Sequence, residues 1–391
     1  MYKWVIVGGG IQGITMATYL LKQKKISSEE LLIIDPHSEP LANWHRCTHT
    51  ISMPFLRSPG VHHLDVNPFS LDAFVKHNAE NERTSFLGRF KRPSLLLFED
   101  HCNHLIEELS LKEQWLQDAV KAITRAESGW QVQLRNSGAV HCENLVLAIG
   151  NSEKLRWPEW ATVLKATSKA PIHHIFDPLL PNVEDMTGPF TVIGGGITAV
   201  HLTLKLTKMF PGQVTLLKRH PFRVHDFDSD PGWLGPKKQI NFRKTVSHQN
   251  RRNLITQAQH KGSIPRDLYI KMLHNNRQND QLILNAEVYA GKFEGNRIKL
   301  YDQSGNLIKE TGTVLLATGF EARLPGKEWL TPVIKENHLQ CASCGYPIVT
   351  ENLEWGPNLY VMGGLAELEI GPIARNISGA RQAAERILQT L

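Results

Sequence analysis

The chain has 391 residues, 41% of them hydrophobic and 21% charged, which is enough for two or three packed, domain-sized units. Its net charge of +6 would admit a nucleic-acid partner, but the cations are scattered apart from Lys237-Lys238, Arg243-Lys244 and Arg251-Arg252, and no zinc-finger, RRM or KH pattern is present. No run reaches the roughly 18 apolar residues of a membrane span, and the apolar stretch at Trp4–Val7 is too short for a signal-peptide core. The composition therefore predicts a cytoplasmic protein with no nucleic-acid or membrane partner and an ordinary core.

In chain order, the first element is a short apolar strand, Trp4-Val5-Ile6-Val7, which runs directly into Gly8-Gly9-Gly10-Ile11-Gln12-Gly13. This is G-x-G-x-x-G at a strand-to-helix turn, where the pattern is informative. Gly8 permits the tight turn, Gly10 lets the backbone approach a pyrophosphate, and Gly13 lets helix and strand pack closely. The phosphates would meet free N–H groups at the positive end of the helix. The next strand ends in Asp35, an acid that accepts hydrogen bonds from ribose hydroxyls and repels a 2′-phosphate, so this site suits FAD or NAD. An irregular stretch rich in His, Pro, Trp and Phe continues to about Arg92. Ser94–Phe98 then leads into a predicted helix over 99–115, and 118–147 reads as an antiparallel meander turning at Asn136-Ser137-Gly138. It closes on Asn144–Ile149 and Gly150.

A second fingerprint, Gly194-Gly195-Gly196-Ile197-Thr198-Ala199, follows the strand Phe190–Ile193. Its second strand ends in Lys218-Arg219-His220, with Arg223 close behind; cations there suit a 2′-phosphate, hence NADP(H). The segment from Pro221 to Pro265 is too long for a simple connection and reads as a substrate or lid segment. Its acids Asp226, Asp228 and Asp230 alternate, but they lack the Gly and terminal Glu of a calcium loop, and no metal is assigned. Thr313–Phe320 nearly repeats the apolar strand ending at Gly150. The two copies bracket the second fingerprint and predict an α/β fold of two Rossmann-like dinucleotide-binding domains, the NADP(H) domain inserted into the FAD domain. The expected boundaries are 1–154 and 313–391 for the first domain and 155–312 for the second, with a loop or helical insertion near 221–275. At the C-terminus, Gly371-Pro372-Ile373 reads as the opening of a helix with Ile377, Ala380, Ala384 and Ile387 on one face.

With both fingerprints, the Leu316–Phe320 return motif and the strand ending Tyr360-Val361-Met362-Gly363-Gly364 in place, the chain resembles the two-dinucleotide-binding flavoproteins. Among them it is most similar to the flavin-dependent N-hydroxylating monooxygenases. The resemblance implies FAD in the first site, held by Gly8, Gly10, Ile11, Gln12 and Gly13, with Asp35 and Pro36 at the ribose. Val120, Gly150, Thr318, Gly319, Gly363, Gly371, Pro372 and Ile373 would complete that site. It implies NADPH in the second site, at Gly194, Gly196, Ile197, Thr198 and Ala199, with Lys218 and Arg219 at the 2′-phosphate. It also implies transfer of oxygen through a peroxyflavin to a small nucleophilic amine, with the last helix pointing at the flavin. Arg57, His62 and His63 are the candidate catalytic residues, and Trp44, Met53, Leu56, Asp228, Asp230, Trp233 and Lys237 are candidates for lining the site. The F-x-G-x-x-x-H identifier of the classical flavin and Baeyer–Villiger monooxygenases is missing around His173 and His174. Two alternatives stay open: a reductase passing electrons to a quinone, a disulfide or another acceptor, for which Cys341-Ala342-Ser343-Cys344 is the relevant motif, and a non-catalytic FAD- and NADP-binding protein.

Overall fold

Tyr2–Val7, Leu31–Asp35 and the C-terminal part of Ala139–Leu147 lie side by side in parallel, and their apolar residues are buried in continuous runs. Continuous rather than alternating burial is what a parallel sheet covered on both faces requires. Trp115–Gln117 extends this sheet beyond Leu31–Asp35, and Leu359–Val361 and Glu354–Gly356 extend it beyond Ala139–Leu147. The expected meander is present as Val120–Arg125, Trp130–Leu134 and Ala139–Leu147. A second, wholly parallel sheet has the order Leu282–Asn285, Val214–Lys218, Phe190–Ile193, Thr313–Leu316, Ile172–His174. This computed structural model describes residues 1–389 except 24, 78–84, 151–153 and 279–281.

Thr313–Leu316 pairs with Phe190–Ile193 in the second sheet, as Ala139–Leu147 pairs with Tyr2–Val7 in the first. The boundary expected at 313 is therefore corrected: the repeated apolar strand completes the second sheet, and the chain leaves it at Gly319. There the two connections run together, with a bridge between Leu155 and Phe320 and a 2.9 Å bond from the Arg156 N–H to the Gly319 carbonyl.

Two helix starts also differ from expectation. The helix expected over 99–115 spans Leu95–Glu108, because Ser94 caps it by accepting from the Leu97 N–H at 3.2 Å. The last helix spans Ile377–Leu388 with Asn376 at its N-cap, and Pro372 lies in the turn before it. The expected face of Ile377, Ala380, Ala384 and Ile387 is buried.

The segment 221–265 is largely helical, with Pro236–Lys244 and His248–Ala258 joined to the short strands Arg223–Val224 and Ser263–Ile264. Although its sequence lies inside the second unit, Trp233, Phe242 and Ile255 are built into the core of the first. Arg252 and Arg375 both pair with Glu367, and Arg251 and Arg386 with Glu369. Glu367 is only 1% exposed, and each of these two buried acids is matched by two arginines, as a buried charge requires. Among the described residues no helix is long and apolar enough to cross a membrane.

Candidate active site

At the first fingerprint, Gly8 adopts φ +106°, and a Cβ on it would fall 2.7 Å from the Ala148 carbonyl oxygen. A Cβ on Gly13 would fall 1.8 Å from the Gly8 carbonyl oxygen, so only glycine lets the helix sit this close to its strand. Above Gly10 the space is open, with nothing within 4 Å of a Cβ position. The helix Ile11–Lys22 begins there with no side-chain cap and no acid in its first turn, leaving its terminal N–H groups for an anion. Asp35 accepts from the Gly9 N–H at 2.7 Å and from the His37 N–H at 2.9 Å. The Trp115 ring lies directly against Gly9, and its indole N–H donates to the His37 carbonyl at 3.1 Å. Trp115 was not among the expected site residues; its signal is its place on the strand that pairs with Leu31–Asp35.

At the other end of this site, Gln12 ties the fingerprint helix to the start of the last helix, donating to the Ala374 and Asn376 carbonyls at 3.2 and 3.3 Å. Gly363 packs on the Gln12 side chain, and Gly371, Pro372 and Ile373 form the buried turn beside it. The Gln12 Oε1 and Ser378 Oγ atoms are buried without a partner, and the last helix also begins without a side-chain cap. Buried polar groups in a native fold have partners. These orphans, the uncapped termini and the open cradle fit a polar, anionic group of the FAD type. Thr318 and Gly319 stand at the crossing between units, where Thr318 Oγ1 donates to the Arg156 carbonyl and His174 Nε2 bonds the Gly319 carbonyl at 3.0 Å. Val120 is half-buried; Pro36 and Gly150 are exposed.

The second cradle repeats the skeleton. A Cβ on Gly194 would fall 2.6 Å from the Ala317 carbonyl oxygen, and the helix Ile197–Met209 starts at Gly196 without a side-chain cap or an acid in its first turn. Its outer side differs, for Gly262 Cα lies 3.3 Å from where a Cβ on Gly196 would stand. The expectation for Lys218 is corrected: it is 4% exposed, its Nζ is held by the Asn285 side chain and the His220 carbonyl, and it sits over the Phe222 ring. Burial also lowers its pKa. The strand end carrying Lys218 is covered on both faces, so its side chain turns inward. Arg219 and Arg223 are exposed, the former 3.5 Å from Glu287.

A narrow cleft of about 30 Å³ lies where the first unit's loop, the segment 227–234 and the start of the last helix meet; Arg57, His62, Phe227, Asp228, Ile373 and Asn376 face it. Burial pushes the His62 imidazole down to about 4, with the Arg381 and His63 charges adding to the effect, so the ring is neutral near pH 7. His63 is corrected as a catalytic candidate. It is 0% exposed, both ring nitrogens are engaged, by the Pro68 carbonyl at 3.1 Å and the Asp65 N–H at 3.2 Å, and its ring packs edge-on to His101. The alternating acids go to separate partners: Asp226 lies near Arg89, Asp228 pairs with Arg57, and Asp230 caps Gly232 and pairs with Lys238. Trp44 and Met53 are partly buried, and Leu56 and Trp233 are buried in the core. Cys341 is half-buried and Cys344 exposed, on a turn that meets Gln249 through Ser343. Asn376 and Ser378, which complete the cleft, were missed because no local pattern marks which helix terminus faces a ligand.

The pyridine nucleotide-disulphide oxidoreductase family matches residues 5–267, and the chain belongs to it. It is an FAD- and NADPH-dependent oxidoreductase. No curated protein sequence matches it. Among solved structures it is similar to the reduced ornithine hydroxylase PvdA from Pseudomonas aeruginosa, at 20% identity and TM-score 0.76 over 100% of this chain and 98% of that one. It is also similar to the ornithine N-hydroxylase KtzI from Kutzneria sp. 744, at 14% identity and TM-score 0.77 over 100% and 98%. A third similar structure is the cadaverine monooxygenase DfoA from Erwinia amylovora, bound to FAD, at 16% identity and TM-score 0.75 over 100% and 94%. At these identities the likeness establishes the fold.

Proposed function

From membership of the pyridine nucleotide-disulphide oxidoreductase family, we propose that the protein is a flavin monooxygenase that uses NADPH to hydroxylate the nitrogen of a small primary amine. The observation that carries this reading is the cleft, which brings the neutral His62 ring beside the uncapped start of the last helix. An uncharged imidazole accepts a hydrogen bond from the amine without adding a competing cation. The positive end of the helix stabilises negative charge that develops beside it. Likeness over the full chain to enzymes named as ornithine and cadaverine hydroxylases and monooxygenases supports the same reading.

Bound FAD, reduced by NADPH, supplies the activation of dioxygen, and the chain orients the amine and keeps water from the cleft. The balance is one amine, one dioxygen, one NADPH and one proton giving a hydroxylamine, water and NADP⁺. Part of the proposal is the division into an FAD unit, 1–154 and 319–391, and an NADP(H) unit within 155–318, with the nucleotide residues assigned above to each. Arg219 and Arg223 take the 2′-phosphate in place of Lys218. The test is NADPH oxidation by the FAD-loaded protein with and without a panel of diamines and amino acids, with hydroxylamine assayed in parallel. Stimulation by an amine, with hydroxylamine formed in step with NADPH consumed, is expected. Oxidation that ignores every amine and yields only hydrogen peroxide would leave the reductase reading.

A further inference from the structure

Arg57 belongs to the first unit's loop, yet all three of its guanidinium nitrogens bond to the segment inserted in the second. Nε donates to the Asp226 carbonyl at 3.0 Å, and Nη2 to the His225 carbonyl at 2.6 Å, the Phe227 carbonyl at 2.8 Å and Ser263 Oγ at 2.9 Å; Nη1 pairs with the Asp228 carboxylate. The Arg57 side chain is 10% exposed while the Asp228 carboxylate is 58% exposed, so the grip lies in the guanidinium's bonds to carbonyls and Ser263 rather than in the ion pair. The backbone it grips continues from the strand Arg223–Val224, which pairs with Ser263–Ile264. The residue just before Ser263 is Gly262, which lies against Gly196 at the second cradle. A short line of contacts thus runs from Arg57 through Ser263 and Gly262 to the N-terminus of Ile197–Met209. The exposed cations Arg223 and Lys261 stand on the same strap, the first donating to the carbonyl of the second at 3.3 Å. Neighbours of Arg57 in the first unit grip the strap too: Phe90 packs edge-on to Phe227, and Arg92 pairs with Asp267 at 2.7 Å.

We propose that Arg57 is a positioning residue for NADPH: from the flavin unit it fixes the strap that forms the outer lip of the second cradle, and so sets the affinity for the nucleotide. The inference rests on the second cradle holding NADPH and not on oxygen transfer. Without the clamp the strap has to be ordered when the nucleotide binds, and that lost freedom is charged against binding. The clamp also explains how a residue lining the cleft contributes without touching substrate, since its donors are already engaged.

The experiment is titration of NADP⁺ into the oxidised, FAD-loaded protein by calorimetry, for the wild type, R57A, R57K and S263A. R57A is expected to bind NADP⁺ about tenfold more weakly, and S263A about twofold to threefold, with R57K between them. FAD content and melting temperature of the loaded proteins are measured alongside. In turnover, the loss in R57A is expected in KM for NADPH rather than in KM for the amine. Unchanged NADP⁺ affinity in R57A and S263A overturns the proposal, as does a rise confined to the KM for the amine, which would make Arg57 a substrate-binding group. If R57A does not fold, S263A and R57K decide it. The binding readout stands even if no amine is ever hydroxylated.

Discussion

A Cβ on Gly8 would face the Ala148 carbonyl oxygen at 2.7 Å, and one on Gly194 would face the Ala317 carbonyl oxygen at 2.6 Å; in both units that alanine ends an apolar parallel strand and is followed two residues later by glycine. Around this shared skeleton the two cradles part company. Gly10 opens on empty space, whereas Gly196 meets Gly262. Gly13 is pinned against the Gly8 carbonyl, whereas the matching place in the second unit holds a buried Ala199. The strand-end acid Asp35 bonds the fingerprint's own backbone, while the matching cation Lys218 is turned into the protein. A fingerprint therefore specifies the turn, and the surrounding packing decides which side chain reads the nucleotide.

The sharpest way to break this comparison is at the third fingerprint position. G13A drives a methyl into the Gly8 carbonyl and is expected to cost about 3 kcal/mol or more and to release FAD. A199G is expected to cost only about 1 kcal/mol. Urea unfolding and flavin content of the purified variants check this, and equal losses at both positions would refute it. Next in size, D35A is expected to weaken FAD binding by about tenfold or more, because the Gly9 N–H and the ribose both lose a charged acceptor. R219A should raise KM for NADPH several-fold, within about 1 kcal/mol, and leave NADH use unchanged. K218M should leave the NADPH-to-NADH preference alone, and if it shifts that preference instead, Lys218 faces the nucleotide after all.

The remaining contrast is in pH dependence. Burial lowers His62 and His63 to about 4 and His101 to about 3 in the first unit, and His174 and His201 to about 4 in the second. An unfolded histidine titrates near 6.5, so between about 6.5 and 4 the unfolded chain binds more protons than the folded one. Stability from these groups is thus complete above about pH 6.5 and declines as pH falls toward 4. Each site adds at most one proton, about 1.4 kcal/mol per pH unit. H174Q should flatten the slope of unfolding free energy against pH by up to that amount, and H101N should do the same in the first unit. Slopes that match the wild type would show these histidines to be solvated.

Local signals carried the parts of the fold that are local. Both strand–glycine–helix turns, the meander and the apolar face of the last helix follow from patterns within about 15 residues. The helix start at Ser94 escaped because Leu95–Phe98 is a short apolar run, which periodicity alone does not assign to strand or helix. The inward turn of Lys218 depends on Asn285 and Phe222, and the clamp at Arg57 on carbonyls 168 to 170 residues away. No spacing rule reaches that far.

The core of the first unit contains Trp233, Phe242 and Ile255, and that of the second contains Ile264, Leu268 and Met272. The backbone therefore also crosses between the two bodies within 221–265, where a simple insertion crosses only near 155 and 319. Excising 155–318 as a block would strip the first body of part of its wall, so neither half is a cassette to be lifted out or exchanged whole. Rotation of one body on the other has to bend these added tethers as well, which favours short sliding displacements over a wide swing.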